Sequence, residues 1–182
     1  MSTLGRNKSA LLVIDVQNQV VDGAYNKDAV IAQINVAVAK ARAAGVPVVW
    51  VQHSDEWMAI DSEDWQIVPQ LVPSAGEARV RKLYRNSFEA TDLEEVLAGL
   101  DVGHVYVCGA QTNNCVRFTG HGALDRGYDV TLLMDAHTTT DYSFANQVVP
   151  AEVLVRDLNA SFSGEELPGR KADAVLVANA FQ

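Results

Sequence analysis

Runs of strand length that are apolar almost throughout, separated by stretches of helical periodicity, set the narrowest limit on how this chain folds. Ser9–Val16 (SALLVIDV), Val46–His53 (VPVVWVQH), His104–Gly109 (HVYVCG) and Asp129–Met134 (DVTLLM) are continuous rather than alternating. Such runs belong to strands covered on both faces. Ala78–Tyr84 (ARVRKLY) and Ala172–Ala178 (ADAVLVA) add two more strands. Between the first two, DAVIAQINVAVAKARAAG sets Val30, Ile31, Ile34 and Val38 on one helical face, with Gly45 where a C-cap glycine belongs. Thr91–Glu94 reads as a capping box opening a helix toward Leu100. Asn114–Arg126 is helical in pattern and stops at Gly127, and Pro150 opens a helix to about Phe162. Strands alternating with helices predict a three-layer α/β/α, Rossmann-like fold on a mainly parallel six-stranded sheet. At 182 residues and 48% hydrophobic, one domain spanning residues 1–182 is expected.

In such folds ligands bind beyond the carboxyl ends of the strands. Asp15 stands at the end of the first strand, where a buried carboxylate needs a partner or else caps the turn through DVQNQ. Lys82 lies late in the third. Alternation puts Val80 and Lys82 on one side and Arg79, Arg81 and Leu83 on the other, although a run this basic also reads as a solvated face. Cys108, in mid-strand, reads as a small buried hydrophobe. Cys115 follows QTNN, where Thr112 or Asn113 can cap a helix. Its thiol would then sit in a first helical turn, whose dipole lowers a pKa that starts near ~8.5. A thiol needing an acceptor, a strand-end carboxylate and a lysine would satisfy one another.

The formal net charge is −9 and no basic cluster interrupts it, so nucleic acid is not an expected partner. ALLVIDV is too short for a membrane span, contains Asp15, and has no small-residue cleavage site behind it. Two cysteines at C-x₆-C spacing build neither a disulfide framework nor a dithiol redox pair, which points to a cytoplasmic setting. His53, in His53-Ser-Asp55, is read as a histidine paired with an acid while the other three are scattered, so neither a metal nor another cofactor is expected.

LLVIDVQN, RKLYRNSFEATDLEEVL and VYVCGAQTNNCV…ALDRGYDVTLLMDAHTTTD resemble the isochorismatase-like cysteine hydrolases, and the similarity runs from about Ser9 into AEVLVRDLNASF…PGR. The resemblance implies a catalytic triad of Asp15, Lys82 and Cys115. It also implies a cis peptide between Ala110 and Gln111, and an oxyanion hole made by the backbone N–H groups of Gln111 and Cys115. Nicotinamidases of the family bind metal through Asp-x-His, which here is reversed as His53-Ser-Asp55. The block often read Tyr-Ser-Ala-Phe is here Arg85-Asn-Ser-Phe88. The cysteine leans toward hydrolysis of a C–N bond in a small-molecule substrate over the vinyl-ether cleavage of isochorismatases proper. A non-catalytic binding protein or thiol sensor is the reading from another class. Gln52, His53, Trp57, Trp65, Phe88 and Gln111 are the candidate substrate-binding residues, with Tyr84 beside them; the aromatic ones are equally candidates for core or interface. A homodimer or larger homo-oligomer is expected, because Trp57–Pro73 and the C-terminal stretch appear too apolar for one small core and because the resemblance implies oligomers.

Overall fold

The computed structural model describes residues 2–182. Nine strands and four α-helices follow one another in the order β1 (Lys8–Ile14), α1 (Lys27–Ala43), β2 (Val48–His53), β3 (Ala78–Lys82), α2 (Leu93–Gly99), β4 (Val102–Ala110), α3 (Arg117–Asp125), β5 (Asp129–Thr138), β6 (Tyr142–Phe144), β7 (Gln147–Val149), α4 (Ala151–Phe162), β8 (Glu165–Leu167) and β9 (Arg170–Val175). Seven strands form one sheet in the order β3-β2-β1-β4-β5-β9-β8. All its pairings are parallel except β8 with β9. The sheet therefore has one strand more than the sequence predicts. β8 is a three-residue edge strand, too short to show a period, turned back by Pro168-Gly169 with Gly169 at φ +73. Proline then glycine at the centre of a two-residue connection is the signature of a type II turn.

The expected elements fall in place with shifted ends. β5 runs on to Thr138 through the polar DAHT, and its register against β4 slips between Val107 and Gly109. β9 starts and stops earlier than ADAVLVA, because Val177–Asn179 winds into a 3₁₀ turn. The exposed β6–β7 hairpin has no counterpart in the sequence prediction. α1 buries Val30, Ile31, Ile34, Ala37, Val38 and Ala41 along one stripe. It closes in a Schellman motif, with Val46 N–H donating to Ala41 C=O and Gly45 N–H to Arg42 C=O. At α2, Thr91 Oγ1 accepts from Leu93 N–H, but Glu94 turns away to Arg6 and Tyr128, leaving the capping box half made. At α4 the first N–H, of Ala151, donates to Asp141 Oδ1.

Each face of the sheet carries its own apolar layer. Leu12, Ile14, Val80, Val105 and Val107 pack with Leu97, Leu124, Leu158 and Phe162 on one side. Leu11, Val13, Trp50 and Cys108 pack with α1 on the other. Chain order reverses between β1 and β4, and there the two strands are pressed together at Gly109. Its φ is +119, and a Cβ at that position would lie 2.0 Å from Ile14 O. The crevice at the carboxyl ends of these two strands is the place where doubly wound sheets hold ligands. Among the described residues no helix is long and apolar enough to cross a membrane.

Candidate active site

Asp15 is the first residue past β1, in left-handed backbone at φ 50, with its N–H donating to Val51 O. Lys82 is the last residue of β3. Val80 and Lys82 are buried while Arg79 and Arg81 are exposed, so the alternation expected of this basic run holds. β2 lies between the two strands but ends at His53, and the lysine stem crosses over that end. Lys82 Nζ lies 2.6 Å from Asp15 Oδ2, with neither side chain accessible to solvent. The contact is an ion pair within hydrogen-bonding distance. Lys82 Nζ also lies 3.2 Å from Cys115 Sγ. Burial pulls the ammonium down, but the charge of Asp15, with the hydrogen-bonding contacts to Asp15 and Cys115, outweighs it and holds Lys82 above its ordinary value.

Cys115 reaches this pair by an unusual route. After β4 the Ala110–Gln111 peptide is cis. Residues 112–116 then form a wide π-helical turn, in which Val116 N–H donates to Gln111 O and Asn114 leaves helical geometry at φ −117, ψ −107. Turns of this kind gather at functional sites. The sequence places Cys115 in the first turn of a capped helix; instead it precedes α3, and neither candidate cap acts as one. Thr112 Oγ1 bonds to His137 Nδ1 at 2.9 Å, and Asn113 Oδ1 accepts from Thr139 Oγ1 at 2.7 Å. The expected lowering of the thiol pKa is overturned as well. Burial, and after it the negative charge of Asp15, push the Cys115 thiol up to about 12, with Lys82 pulling the other way. At rest the site holds a thiol beside a lysine and a carboxylate. Cys108 is fully buried and held protonated by that burial.

Two of the three side chains, those of Asp15 and Cys115, open onto a cavity of about 420 Å³. Among the candidate binding residues, His53, Trp57 and Gln111 line it, together with Asp15 and Cys115. Gln52, Trp65 and Phe88 do not. Gln52 alternates with His53 along β2 and so takes the opposite face, where its amide donates to Trp65 O. Trp65 is buried under the Arg81 guanidinium. Phe88 packs in the core against Tyr128 and Arg126. Tyr84 is exposed and also lies outside the cavity lining.

Gln19, Val20, Asp55, Met58, Arg85 and Asn114 complete the wall. Arg85 forms no ion pair with a described residue and rests over the Phe118 ring. Gln17, buried behind the site, clasps its neighbours: Oε1 accepts from His53 N–H, and Nε2 donates to His53 O and Trp65 O. A glutamine whose partners lie tens of residues away leaves no local pattern to read. Both ring nitrogens of His53 are engaged, Nδ1 facing Lys82 Nζ at 3.5 Å and Nε2 facing Asp55 Oδ2 at 3.2 Å. Among the described residues no group of three or more His, Cys, Asp or Glu could hold a metal ion.

The model of the isochorismatase domain matches residues 9–149. Streptothricin hydrolase of Streptomyces noursei is 35% identical over 160 residues, which cover 83% of this chain and 64% of that protein, so the chain spans just under two thirds of that relative's length. Ureidoacrylate amidohydrolase RutB of Klebsiella pneumoniae is 28% identical, over 80% of this chain and 79% of that one. Among solved structures, an isochorismatase from Pseudomonas putida superposes with a TM-score of 0.83 at 28% identity, covering 95% of this chain and 91% of that chain.

Proposed function

The chain belongs to the isochorismatase family, and from that premise we propose that it is a cysteine hydrolase cleaving the C–N bond of a small amide, urea or carbamate through a thioester on Cys115. The observation that carries this reading is the unbroken contact from Asp15 through Lys82 to Cys115 beside the cavity. The amidohydrolase among the relatives favours a C–N bond over a vinyl ether.

Because the resting thiol is protonated, its activation is coupled to attack. Asp15, held by Lys82 in an ion pair, takes the Sγ proton as sulfur closes on the carbonyl carbon. Lys82 stays charged and stabilises the developing thiolate. The backbone N–H groups of Gln111 and Cys115 receive the oxyanion, each worth about 3–4 kcal/mol in sites of this kind. Collapse of the tetrahedral adduct breaks the C–N bond, and protonated Asp15 gives its proton to the leaving amine. Water, deprotonated by Asp15, then cleaves the thioester and the thiol is restored. Arg85, a cavity-lining cation with no acid partner among the described residues, favours a substrate that carries a carboxylate or a similar acceptor-rich group. His53, Trp57 and Gln111 form the wall against which that substrate is held.

An ammonia-release screen over small amides, ureas and carbamates tests the proposal. Wild type is expected to turn over at least one compound and to show its acyl adduct on Cys115 by intact mass. Cys115→Ala is expected to lose turnover by at least about a thousandfold while keeping its fold. Retention of amide hydrolysis by that variant would refute the thioester. Activity on a vinyl ether alone, independent of Cys115, would move the protein to the isochorismatase reaction.

A further inference from the structure

An ammonium group has three N–H bonds, and three acceptors surround that of Lys82: Asp15 Oδ2 at 2.6 Å, Cys115 Sγ at 3.2 Å and, at the long end of hydrogen-bonding range, His53 Nδ1 at 3.5 Å. Lysine only donates, so the nitrogen of His53 that faces it must present a lone pair. A neutral imidazole with its lone pair on Nδ1 carries its proton on Nε2. That N–H points at Asp55 Oδ2, 3.2 Å away. The other oxygen of Asp55 is already committed, since Oδ1 accepts from the backbone N–H groups of Trp57 and Met58, both at 2.8 Å. Burial raises the Asp55 pKa, but those two amides and His53 together outweigh it and keep the group a carboxylate. The direction of every proton along the line Trp57 and Met58, Asp55, His53, Lys82 is thereby fixed.

We propose that His53 and Asp55 are positioning residues for the triad: Asp55 locks His53 in its Nε2–H form, and the Nδ1 lone pair keeps the Lys82 ammonium aimed between Asp15 and Cys115. The proposal rests on the reading of Lys82 and Cys115 as the reacting set. It assigns the pair a task that no metal is needed for.

The consequence of changing Asp55 to asparagine is specific. The asparagine oxygen must stay on the Trp57 and Met58 amides, because only an acceptor suits both. Its NH₂ then faces His53 Nε2, drives the proton to Nδ1, and sets an N–H against the ammonium. An isosteric change thus reverses the line without emptying it, the logic by which an aspartate-to-asparagine change yields a wrong histidine tautomer.

Alkylation of Cys115 by iodoacetamide at pH 8 in EDTA, followed by intact mass and peptide mapping, reads the thiol directly. Cys108 is buried and silent. Wild type sets the reference rate. His53→Asn, whose side-chain oxygen replaces Nδ1, is expected within about threefold of it. His53→Leu and Asp55→Asn are expected to react about tenfold more slowly, the loss of one hydrogen bond to a charged group at the weak end of its range. A purely structural Asp55 would leave Asp55→Asn at the wild-type rate, since the loop amides keep their acceptor. That result, equal losses in His53→Asn and His53→Leu, or a wild-type rate that EDTA itself changes and zinc restores, would overturn the proposal. If Asp55→Asn does not fold by circular dichroism, the two His53 variants decide alone. Alkylation proceeds whether or not any amide is cleaved, so failure of the hydrolase reading and failure of this one are seen separately.

Discussion

Burial acts in opposite directions on one group within the 112–116 turn and on another packed against it. It holds the Cys115 thiol protonated, and it lowers the His137 imidazole to about 4, against smaller opposing effects of Asn159 and Asp135. His137 Nε2 faces Asn159 Oδ1 at 2.9 Å while its Nδ1 faces Thr112 Oγ1, so the neutral ring ties the π-helical turn to β5 and α4. In the unfolded chain this imidazole titrates near 6.5. Between 6.5 and about 4 the unfolded state binds a proton that the native state refuses, so stability falls as pH falls across that window and is unaffected above it. The expected loss is on the order of 3 kcal/mol, complete below the folded value. Urea unfolding at pH 7, 5.5 and 4.5 checks it: His137→Asn should show a flatter pH profile than wild type by that amount. Parallel profiles would show that His137 does not contribute. In the sequence His137 is one scattered histidine among four, because Thr112 and Asn159 meet it only through the fold.

Among the elements, Gly109 is the least replaceable. It combines a left-handed φ of +119 with contact against the Ile14 backbone, so Gly109→Ala meets both strain and a clash that no rotamer relieves. The variant is expected to lose at least about 3 kcal/mol of stability. Any folded fraction should have β1 and β4 spread apart and Asp15 displaced from Cys115. Thermal melting and the iodoacetamide rate measure the two effects; a variant that melts within a degree of wild type would contradict the close approach.

The elements legible in the sequence are those whose physics is local. The apolar runs of β1, β2, β4 and β5, the stripe and glycine stop of α1, and the alternation that buries Lys82 are all written in adjacent residues. What was not legible depends on distant partners. β8 exists only because β9 offers it an edge, and β5 continues through DAHT because polar side chains there find Thr112, Tyr25 and Val177. The helix-cap reading of QTNN failed because His137 of β5 and Thr139 just past it claim both of its capping side chains. The cavity wall was half legible for a similar reason: Trp57 and Trp65 look alike in sequence, yet one is 77% exposed beside the cavity and the other is packed away.

For the whole molecule, the apolar surplus lies partly in the stretches the sequence singles out, where Trp57, Ile60, Val72 and Leu176 are exposed, and partly elsewhere. Met58, Trp65, Val68 and Leu71 find room in the core, as do Phe162, Ala172, Val177 and Ala180. Exposed as well are Tyr142, Phe144 and Val148 on the β6–β7 hairpin, with Val153 on α4. Apolar clusters left on a surface mark contact sites, so a homodimer or larger symmetric assembly is our proposal for the solution state. Sedimentation equilibrium at micromolar protein is expected to give a mass at least twice 19.7 kDa, and Phe144→Ser with Val148→Ser to shift it toward one chain. A single species near 19.7 kDa in wild type would overturn this. The strand order has a further effect, on the time at which the site is complete. β1 lies between β2 and β4, so Asp15 waits in an unfinished sheet until Val102–Ala110 has been synthesised and threaded beside it. Pairings over such sequence distance form late. A nascent chain released early carries the acid and the lysine without the sulfur, and its site is incomplete.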